Sequence, residues 1–248
     1  MSGCQSRSPE YAVVFPGEKW QTATPESQGL DSAKVEAAVQ VIEEGFPGRG
    51  SSRMLIVRNG YVIWQGDAVE EVGPIFSCTK SYMSACFGLL WDDGTVKPDD
   101  LAHQGWPALK EHYPTVTLEH LGTLTGGYQW DEDADHLTPA PPAFPPGTHY
   151  KYGPESNLFG AVLTGYAGRS LKDIFLEGIG DPIGFDRDAF EWGKLAEVDG
   201  ITINGGAGQP ASAVHTNALN MARFGWLFCN DGKWEDRKST RLNSSHYS

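Results

Sequence analysis

The sequence predicts an α+β fold in which an antiparallel sheet is flanked by helices. Two β-rich runs stand on either side of Asn59-Gly60, the dipeptide that most favours the tight turn of a β-hairpin. Segments with apolar residues at helical spacing precede and follow this hairpin. Helices beside a hairpin favour α+β organisation over a regular alternation of parallel strands and helices.

The composition is that of a folded protein and excludes several classes of function. The chain has 248 residues, of which 40% are hydrophobic and 21% charged, enough for one large domain or two small ones. A net charge of -13 argues against a nucleic-acid partner, which requires clustered Lys and Arg. No apolar run approaches the ~20 residues of a membrane span. The histidines form no HExxH motif or close pair, so neither a metal ion nor another cofactor is predicted.

Further elements follow from the order of caps, apolar periods and turn residues. Residues 1–29 are rich in Pro, Gly, Ser and Thr and predict an arm lying on the body. A helix is predicted from the Asp31 cap to Gly45, and another over residues 77–91 that is apolar on most sides and therefore buried. Shorter helices are expected over residues 118–124, 157–167, 170–179 and after the small-residue loop that begins at Gly205.

The segment FSCTKSYMSACFGLLWDDG places Ser77 and Lys80 on one face of the predicted helix, since residues three apart are neighbours there. A serine hydroxyl becomes a useful nucleophile only when a base takes its proton. A lysine amine can do so when burial lowers its pKa from ~10.4, and the apolar neighbours Phe76, Tyr82, Met83 and Phe87 predict such an enclosure. The alternative is an ordinary helix cap with a solvated lysine, because an SxxK triplet occurs about once by chance in a chain of this length.

Five phrases in order make a more specific pattern than this quartet. They are FSCTKSYMSACFGLLWDDG, LEHLGTLTGGY, PPGTHYKYGPESNLFG, LEGIGDPIGF and SAVHTNALNMARFGWLFCNDGKW. The pattern resembles the serine β-lactamase-like family, which includes class C β-lactamases, D-alanyl-D-alanine carboxypeptidases, family VIII-type esterases and 6-aminohexanoate-dimer hydrolases. The resemblance runs from about Trp20 to Trp234 and implies a mostly helical subdomain beside the sheet.

The resemblance implies a role for each residue that matches a family motif. Ser77 would be the nucleophile, Lys80 would hold the proton network, and Tyr152 would act as the base, with Tyr150 as the rival for that position. The usual Tyr-x-Asn is replaced by Tyr-Gly-Pro, and Asn157 or Ser156 is the candidate to supply the absent polar group.

The function that the resemblance implies is a metal-independent serine hydrolase that cleaves a small ester or amide through an acyl-enzyme. Esterase or amidase activity is favoured over true β-lactamase activity. The alternatives are a penicillin-binding D-alanyl-D-alanine carboxypeptidase and a non-catalytic relative that binds peptidoglycan peptides or acts as a sensor. The aromatic residues Tyr128, Trp130 and Phe144 of the long Pro-rich loop are expected to wall an apolar substrate pocket. Asp131 and its acidic neighbours read as a solvated loop rather than a cation site.

Both ends of the chain carry expectations of their own. Residues 236–248 resemble a translated sequencing adapter, so the hydrolase domain is expected over residues 30–235, with a helical insertion at roughly 92–200. The family's third motif, a Lys- or His-x-Gly strand, and the C-terminal strands would then be missing, and the fragment would be inactive. If Met1 were a misread leucine codon, Cys4 would complete a lipobox and the protein would be periplasmic or lipid-anchored; otherwise it would be cytoplasmic.

Overall fold

A computed structural model describes residues 11–46, 50–130, 136–153, 155–206 and 209–234. Four features named above lie outside these residues. They are Cys4, the acidic stretch 131–135, Pro154 and the C-terminal segment 236–248.

The helices predicted from the sequence are confirmed to within a few residues. Asp31 caps the first helix by accepting hydrogen bonds from the backbone N–H groups of Ala33 and Lys34. Within the described ranges the α-helices are α1 (Ser32–Gly45), α2 (Thr79–Asp92), α3 (Ala102–Gly105), α4 (Leu118–Gly122), α5 (Glu155–Ala167), α6 (Leu171–Phe175) and α7 (Ala218–Cys229). None of these helices is both long enough and apolar enough to cross a bilayer.

The strands are short and form two three-stranded sheets and two separate hairpins in the described part of the chain. The strands are β1 (Gln21–Thr22), β2 (Leu55–Arg58), β3 (Tyr61–Gln65), β4 (Gly73–Pro74), β5 (Gln129–Trp130), β6 (Pro139–Ala140), β7 (Phe190–Trp192), β8 (Lys194–Val198), β9 (Ile201–Asn204) and β10 (Val214–Thr216). One sheet has the order β1-β3-β2 and the other β4-β10-β7, while β5 pairs with β6 and β8 with β9.

The predicted hairpin between β2 and β3 is confirmed. Asn59 and Gly60 both have positive φ, at 54° and 87°, as a type I′ turn requires. The arm before it also takes part in a sheet, because β1 pairs with β3 in parallel. The sequence did not predict β1, through which Gln21 and Thr22 of the arm join the sheet.

The second sheet and the core hold α2 in place. Pairing of β10 with both β4 and β7 is antiparallel. The ring of Tyr82 on α2 lies 4.3 Å from the ring of Phe224 and 4.8 Å from that of Phe175. Tyr82 and its neighbour Met83 are each 1% exposed, so the predicted burial of this helix is confirmed. The first turn of α2 is therefore closely packed against the core.

Candidate active site

Ser77 lies in a tight 3₁₀ turn, Phe76–Cys78, which leads directly into α2. Phe76 adopts a φ of 47°, in the left-handed region that costs a residue with a β-carbon roughly 1–2 kcal/mol. Phe76 is 54% exposed, so its burial offsets only part of that cost. Such strain at the residue before a nucleophile candidate is typical of functional sites.

Two hydrogen bonds to one residue of β10 hold the turn on either side of Ser77. The backbone N–H of Ile75 donates to the carbonyl of Val214 at 3.0 Å. The backbone N–H of Val214 donates to Oγ1 of Thr79 at 3.1 Å, and Thr79 is fully buried. Because both bonds end on Val214, the backbone of Ser77 is fixed relative to the sheet. Sequence reasoning missed Thr79, since its partner lies 135 residues away.

The side chains of Ser77, Lys80 and Tyr152 meet in a triangle of hydrogen bonds. Ser77 Oγ and Tyr152 Oη are 2.7 Å apart. Lys80 Nζ donates to Tyr152 Oη at 3.0 Å and to Ser77 Oγ at 3.3 Å, and it lies 4.8 Å from the centroid of the tyrosine ring. The hydroxyl beside Ser77 belongs to Tyr152 rather than to its rival Tyr150.

The triangle changes the acidity of the phenol. The pKa of Tyr152 is lowered from its ordinary value, first by the hydrogen bond with Ser77 and then by the one from Lys80. Both contacts favour the phenolate, which accepts hydrogen bonds better than a neutral phenol does. Tyr152 is 57% exposed, so water reaches the site.

The apolar enclosure that the sequence predicts around Lys80 is incomplete. Phe76 is more than half exposed, and Tyr82 is buried in the core. Lys80 itself is half-buried. Its polar contacts are with the hydroxyl groups of Ser77 and Tyr152, to which it donates hydrogen bonds.

Tyr152 stands between two tethers to a single turn. On one side the backbone N–H of Lys151 donates to the carbonyl of Leu124 at 3.0 Å. On the other side Glu155 Oε1 accepts from the backbone N–H of Gly126 at 3.0 Å. Both tethers end on residues 124–126, so this turn sets where the Tyr152 hydroxyl lies.

Glu155 is a buried carboxyl that sequence reasoning missed. It is 4% exposed, and burial raises the pKa of its carboxyl to about 7, against the opposing effects of the Gly126 N–H and the charge of Lys151. Burial raises the pKa of the nearby Tyr113 phenol, and the charge of Glu155 raises it further. A glutamate in the first turn of a helix is ordinary, so the sequence carried no signal that this carboxyl is buried.

A family model described as Beta-lactamase matches residues 44–245. The chain belongs to the β-lactamase family. No curated protein matches the sequence significantly.

Solved structures show the same β-lactamase fold at low sequence identity. A protein from Bacteroides dorei DSM 17855, classed as a β-lactamase, superposes with a TM-score of 0.66 at 17% identity, covering 86% of this chain and 67% of the other. A protein from Bacillus anthracis, classed as a 6-aminohexanoate-dimer hydrolase, gives a TM-score of 0.59 at 18% identity. The match covers 76% of this chain and 56% of the other. The D-alanine carboxypeptidase AmpC from Burkholderia cenocepacia gives 0.52 at 22% identity, covering 73% and 54%. The chain thus spans little more than half of the last two proteins.

The departure from the β-lactamase family's Tyr-x-Asn motif is not repaired by Asn157. Asn157 is fully buried, and its Oδ1 accepts from the backbone N–H of Gly206 at 2.7 Å while its Nδ2 lies 3.3 Å from Nδ1 of His136. Ser156 is also buried and donates to the carbonyl of Gly206 at 3.4 Å. These two side chains hold α5 to the segment at Gly206, and their burial leaves no surface on Asn157 for a substrate.

The aromatic loop contributes mainly to the core. Tyr128 is 3% exposed, and its hydroxyl donates to the carbonyl of His136 at 2.9 Å. Burial therefore leaves Tyr128 without the surface that a substrate contact requires. Trp130 is half-buried against the ring of His136, 5.2 Å away, and its contact with a substrate stays a prediction.

Metal-binding side chains do not gather anywhere in the described residues, where no group of three or more His, Cys, Asp or Glu could hold an ion. The acidic stretch at 131–135 is outside that part of the chain.

Proposed function

We propose that the protein is a serine hydrolase that cleaves a small ester or amide through an acyl-enzyme, with Ser77, Lys80 and Tyr152 as its catalytic residues. The observation that supports this is the hydrogen-bonded triangle, in which Ser77 Oγ is 2.7 Å from Tyr152 Oη and 3.3 Å from Lys80 Nζ. A nucleophile within reach of a base that a third group orients is the recurring signature of covalent catalysis.

Acylation begins when the Tyr152 phenolate takes the proton of Ser77. The Ser77 oxygen attacks the substrate carbonyl, and the electron pair of the C=O bond moves onto the carbonyl oxygen, where the backbone N–H of Ser77 can donate to it. As the tetrahedral intermediate collapses, the bond to the leaving group breaks and Tyr152 returns the proton to that group. Water then repeats the sequence on the acyl-enzyme, releasing a carboxylic acid and restoring the Ser77 hydroxyl.

Lys80 supports both half-reactions as an ammonium group. It donates to Tyr152 Oη at 3.0 Å, which stabilises the phenolate that the reaction needs. Its second hydrogen bond, to Ser77, orients the nucleophile. Through these two hydrogen bonds, Lys80 favours transfer of the proton from the Ser77 hydroxyl to the Tyr152 phenolate.

Esterase or amidase activity is the favoured form of this chemistry. The Tyr-x-Asn motif of the family is Tyr152-Gly153-Pro154 here, and the amide of Asn157 is engaged with Gly206 and His136. The polar side chain at the third position of the motif is therefore replaced by Pro154. A small ester makes the least demand on such a group.

A fluorescent phosphonate tests the nucleophile, using protein expressed from the complete reading frame. We expect one label per chain on Ser77, complete loss of labelling in Ser77→Ala, and unchanged labelling in the control Ser81→Ala, which removes an exposed serine of the same helix. Labelling that survives Ser77→Ala would contradict the assignment.

Turnover separates the activities. We expect hydrolysis of p-nitrophenyl acetate to exceed that of nitrocefin and of a D-Ala-D-Ala peptide. Preferential cleavage of the D-Ala-D-Ala peptide would favour the carboxypeptidase. Stoichiometric labelling without turnover of any of the three would favour a binding or sensor protein.

A further inference from the structure

A groove with an apolar floor begins beside the candidate site. It has a volume of about 340 Å³ and lies between α2, α4 and the first turns of α5. Its rim carries exposed polar groups, among them Ser84 and Thr123. The apolar floor combines the partly exposed side chains of Phe87, Trp91 and Pro98 with five buried ones, those of Met83, Leu118, Leu121, Leu124 and Phe159.

The groove follows one face of α2 away from the triangle. Lys80, Ser84, Phe87 and Trp91 all line it, and their spacing of four, three and four residues places them along one side of a helix. Eleven residues of helix rise about 16 Å. Lys80 therefore lies at one end of the groove, and its Nζ is within hydrogen-bonding distance of Ser77 Oγ.

We infer that this groove binds an uncharged apolar acyl chain of the substrate, an inference that rests on the proposed function. The acyl group remains bonded to Ser77 Oγ after the first half-reaction, so its chain must find a path away from that atom. The groove offers such a path past Lys80. An apolar chain that lies on its floor leaves water, whereas a chain that extends into solvent does not.

The leaving group has a different direction to take. It receives its proton from Tyr152 in the proposed reaction and so lies next to that hydroxyl. Tyr152 is 57% exposed, so the leaving group beside it faces open solvent, while the groove reaches Ser77 through Lys80, whose Nζ lies 3.3 Å from Ser77 Oγ. The groove is therefore assigned to the acyl side of the substrate and the open side of the site to the leaving group.

The charge on the rim restricts the kind of chain. Glu119 is exposed at the edge of the groove, and its carboxylate would repel a negative group carried by the acyl chain. The other charge in the lining, on Lys80, is already engaged by the hydroxyls of Ser77 and Tyr152. Straight alkyl acyl groups are therefore expected to be preferred over chains that end in a carboxylate. Each methylene that the floor covers is expected to raise kcat/KM by about fourfold at most.

The test compares p-nitrophenyl esters from acetate to octanoate, which share one leaving group. In the wild type we expect kcat/KM to rise over the series. Gly122→Leu fills the groove, because a β-carbon at Gly122 already comes within 3.6 Å of the Phe159 ring. We expect Gly122→Leu to keep acetate hydrolysis and to lose at least tenfold on octanoate.

Gly225→Leu is the matched control, since it makes the same change in α7 where nothing lies within 4 Å of the new β-carbon. It should retain the wild-type series. Hydrolysis of acetate without any gain on longer chains, or an unchanged series in Gly122→Leu, would overturn the groove assignment while leaving the proposed function intact.

A binding experiment tests the groove without turnover. In Ser77→Ala, sodium octanoate is titrated against ¹³C-methyl methionine, with the Met83 signal assigned by Met83→Leu. We expect octanoate to shift the Met83 signal, acetate to leave it in place, and Gly122→Leu to abolish the octanoate shift. If neither esters nor amides are hydrolysed, the proposed function fails; a Met83 signal that does not respond to octanoate overturns the groove independently.

Discussion

Glu155→Gln is the substitution whose effect the structure defines best. The glutamine keeps an oxygen that can accept from the backbone N–H of Gly126, now 3.0 Å from Glu155 Oε1, but it cannot ionise. The groups that face this carboxyl are that N–H, Lys151 and the buried Tyr113 phenol. Glu155→Gln therefore removes the charge of the side chain while keeping its hydrogen bond with the Gly126 N–H.

The magnitude follows from the pKa of the carboxyl in the two states. An ordinary glutamate titrates near 4.5, and burial raises the pKa of Glu155 to about 7 in the folded protein. The folded state thus holds the proton more tightly, so stability is greatest below pH 4.5 and falls as the pH rises from 4.5 to 7. At ~1.36 kcal/mol per pH unit, ionisation destabilises the fold by about 3 kcal/mol above pH 7.

Urea unfolding between pH 4.5 and 8 measures this directly. The free energy of unfolding of the wild type, minus that of Glu155→Gln, should fall by about 3 kcal/mol over this range, while titrations shared by both proteins cancel. Glu36→Gln, at an exposed position of α1, is the control and should change stability by less than ~0.5 kcal/mol. A difference between wild type and Glu155→Gln that stays flat from pH 4.5 to 8 would refute the reasoning.

Three further substitutions test other parts of the site and its support. Tyr152→Phe should lower kcat/KM by ~10²–10⁴-fold and remove an acid limb whose pKa lies below the ordinary 10 of a tyrosine; a pH–rate profile that keeps this limb would contradict its role as base. Phe76→Gly should be more stable than Phe76→Ala by about 1 kcal/mol, because alanine retains the penalty of the positive φ; urea midpoints in the reverse order would show that this strain is absent. Arg223→Met should lose about 3 kcal/mol in urea unfolding, since the carbonyls of Ile183 and Gly17 lose a buried donor, whereas the exposed Arg187→Met should lose less than ~1 kcal/mol.

Local patterns were sufficient for the longer elements of the fold. The hairpin at Asn59 and the buried helix after Ser77 each carry their signal within a dozen residues. The sheet β4-β10-β7 was missed because its strands have only two or three residues, too few for alternation to be recognised. The hairpin β8–β9 could have been found, since Asp199-Gly200 is the same kind of turn signal, and both residues have positive φ.

In the candidate site, too, local patterns predict some residues and miss those that depend on contacts distant in sequence. Ser77 and Lys80 are neighbours because of helix geometry, which the spacing alone predicts. Tyr152 came only from the family resemblance, because nothing local connects it to a serine 75 residues earlier. Thr79 and Glu155 were missed because each acts through a backbone N–H that is distant in sequence, at Val214 and Gly126 respectively. A side chain that binds a distant backbone group leaves no pattern around itself.

These contacts explain why the distance between Ser77 and Tyr152 depends on the packing of two helices. Ser77 is held through Val214 of the sheet, while Tyr152 is held through the turn at residues 124–126 and the start of α5. The two halves meet where α5 crosses α2, and a β-carbon at Gly160 would lie 3.0 Å from the methyl group of Met83 and 2.8 Å from the carbonyl of Asn204. Only glycine permits this approach without displacement. The short hydrogen bond between the two hydroxyls therefore rests on a glycine that contacts neither of them.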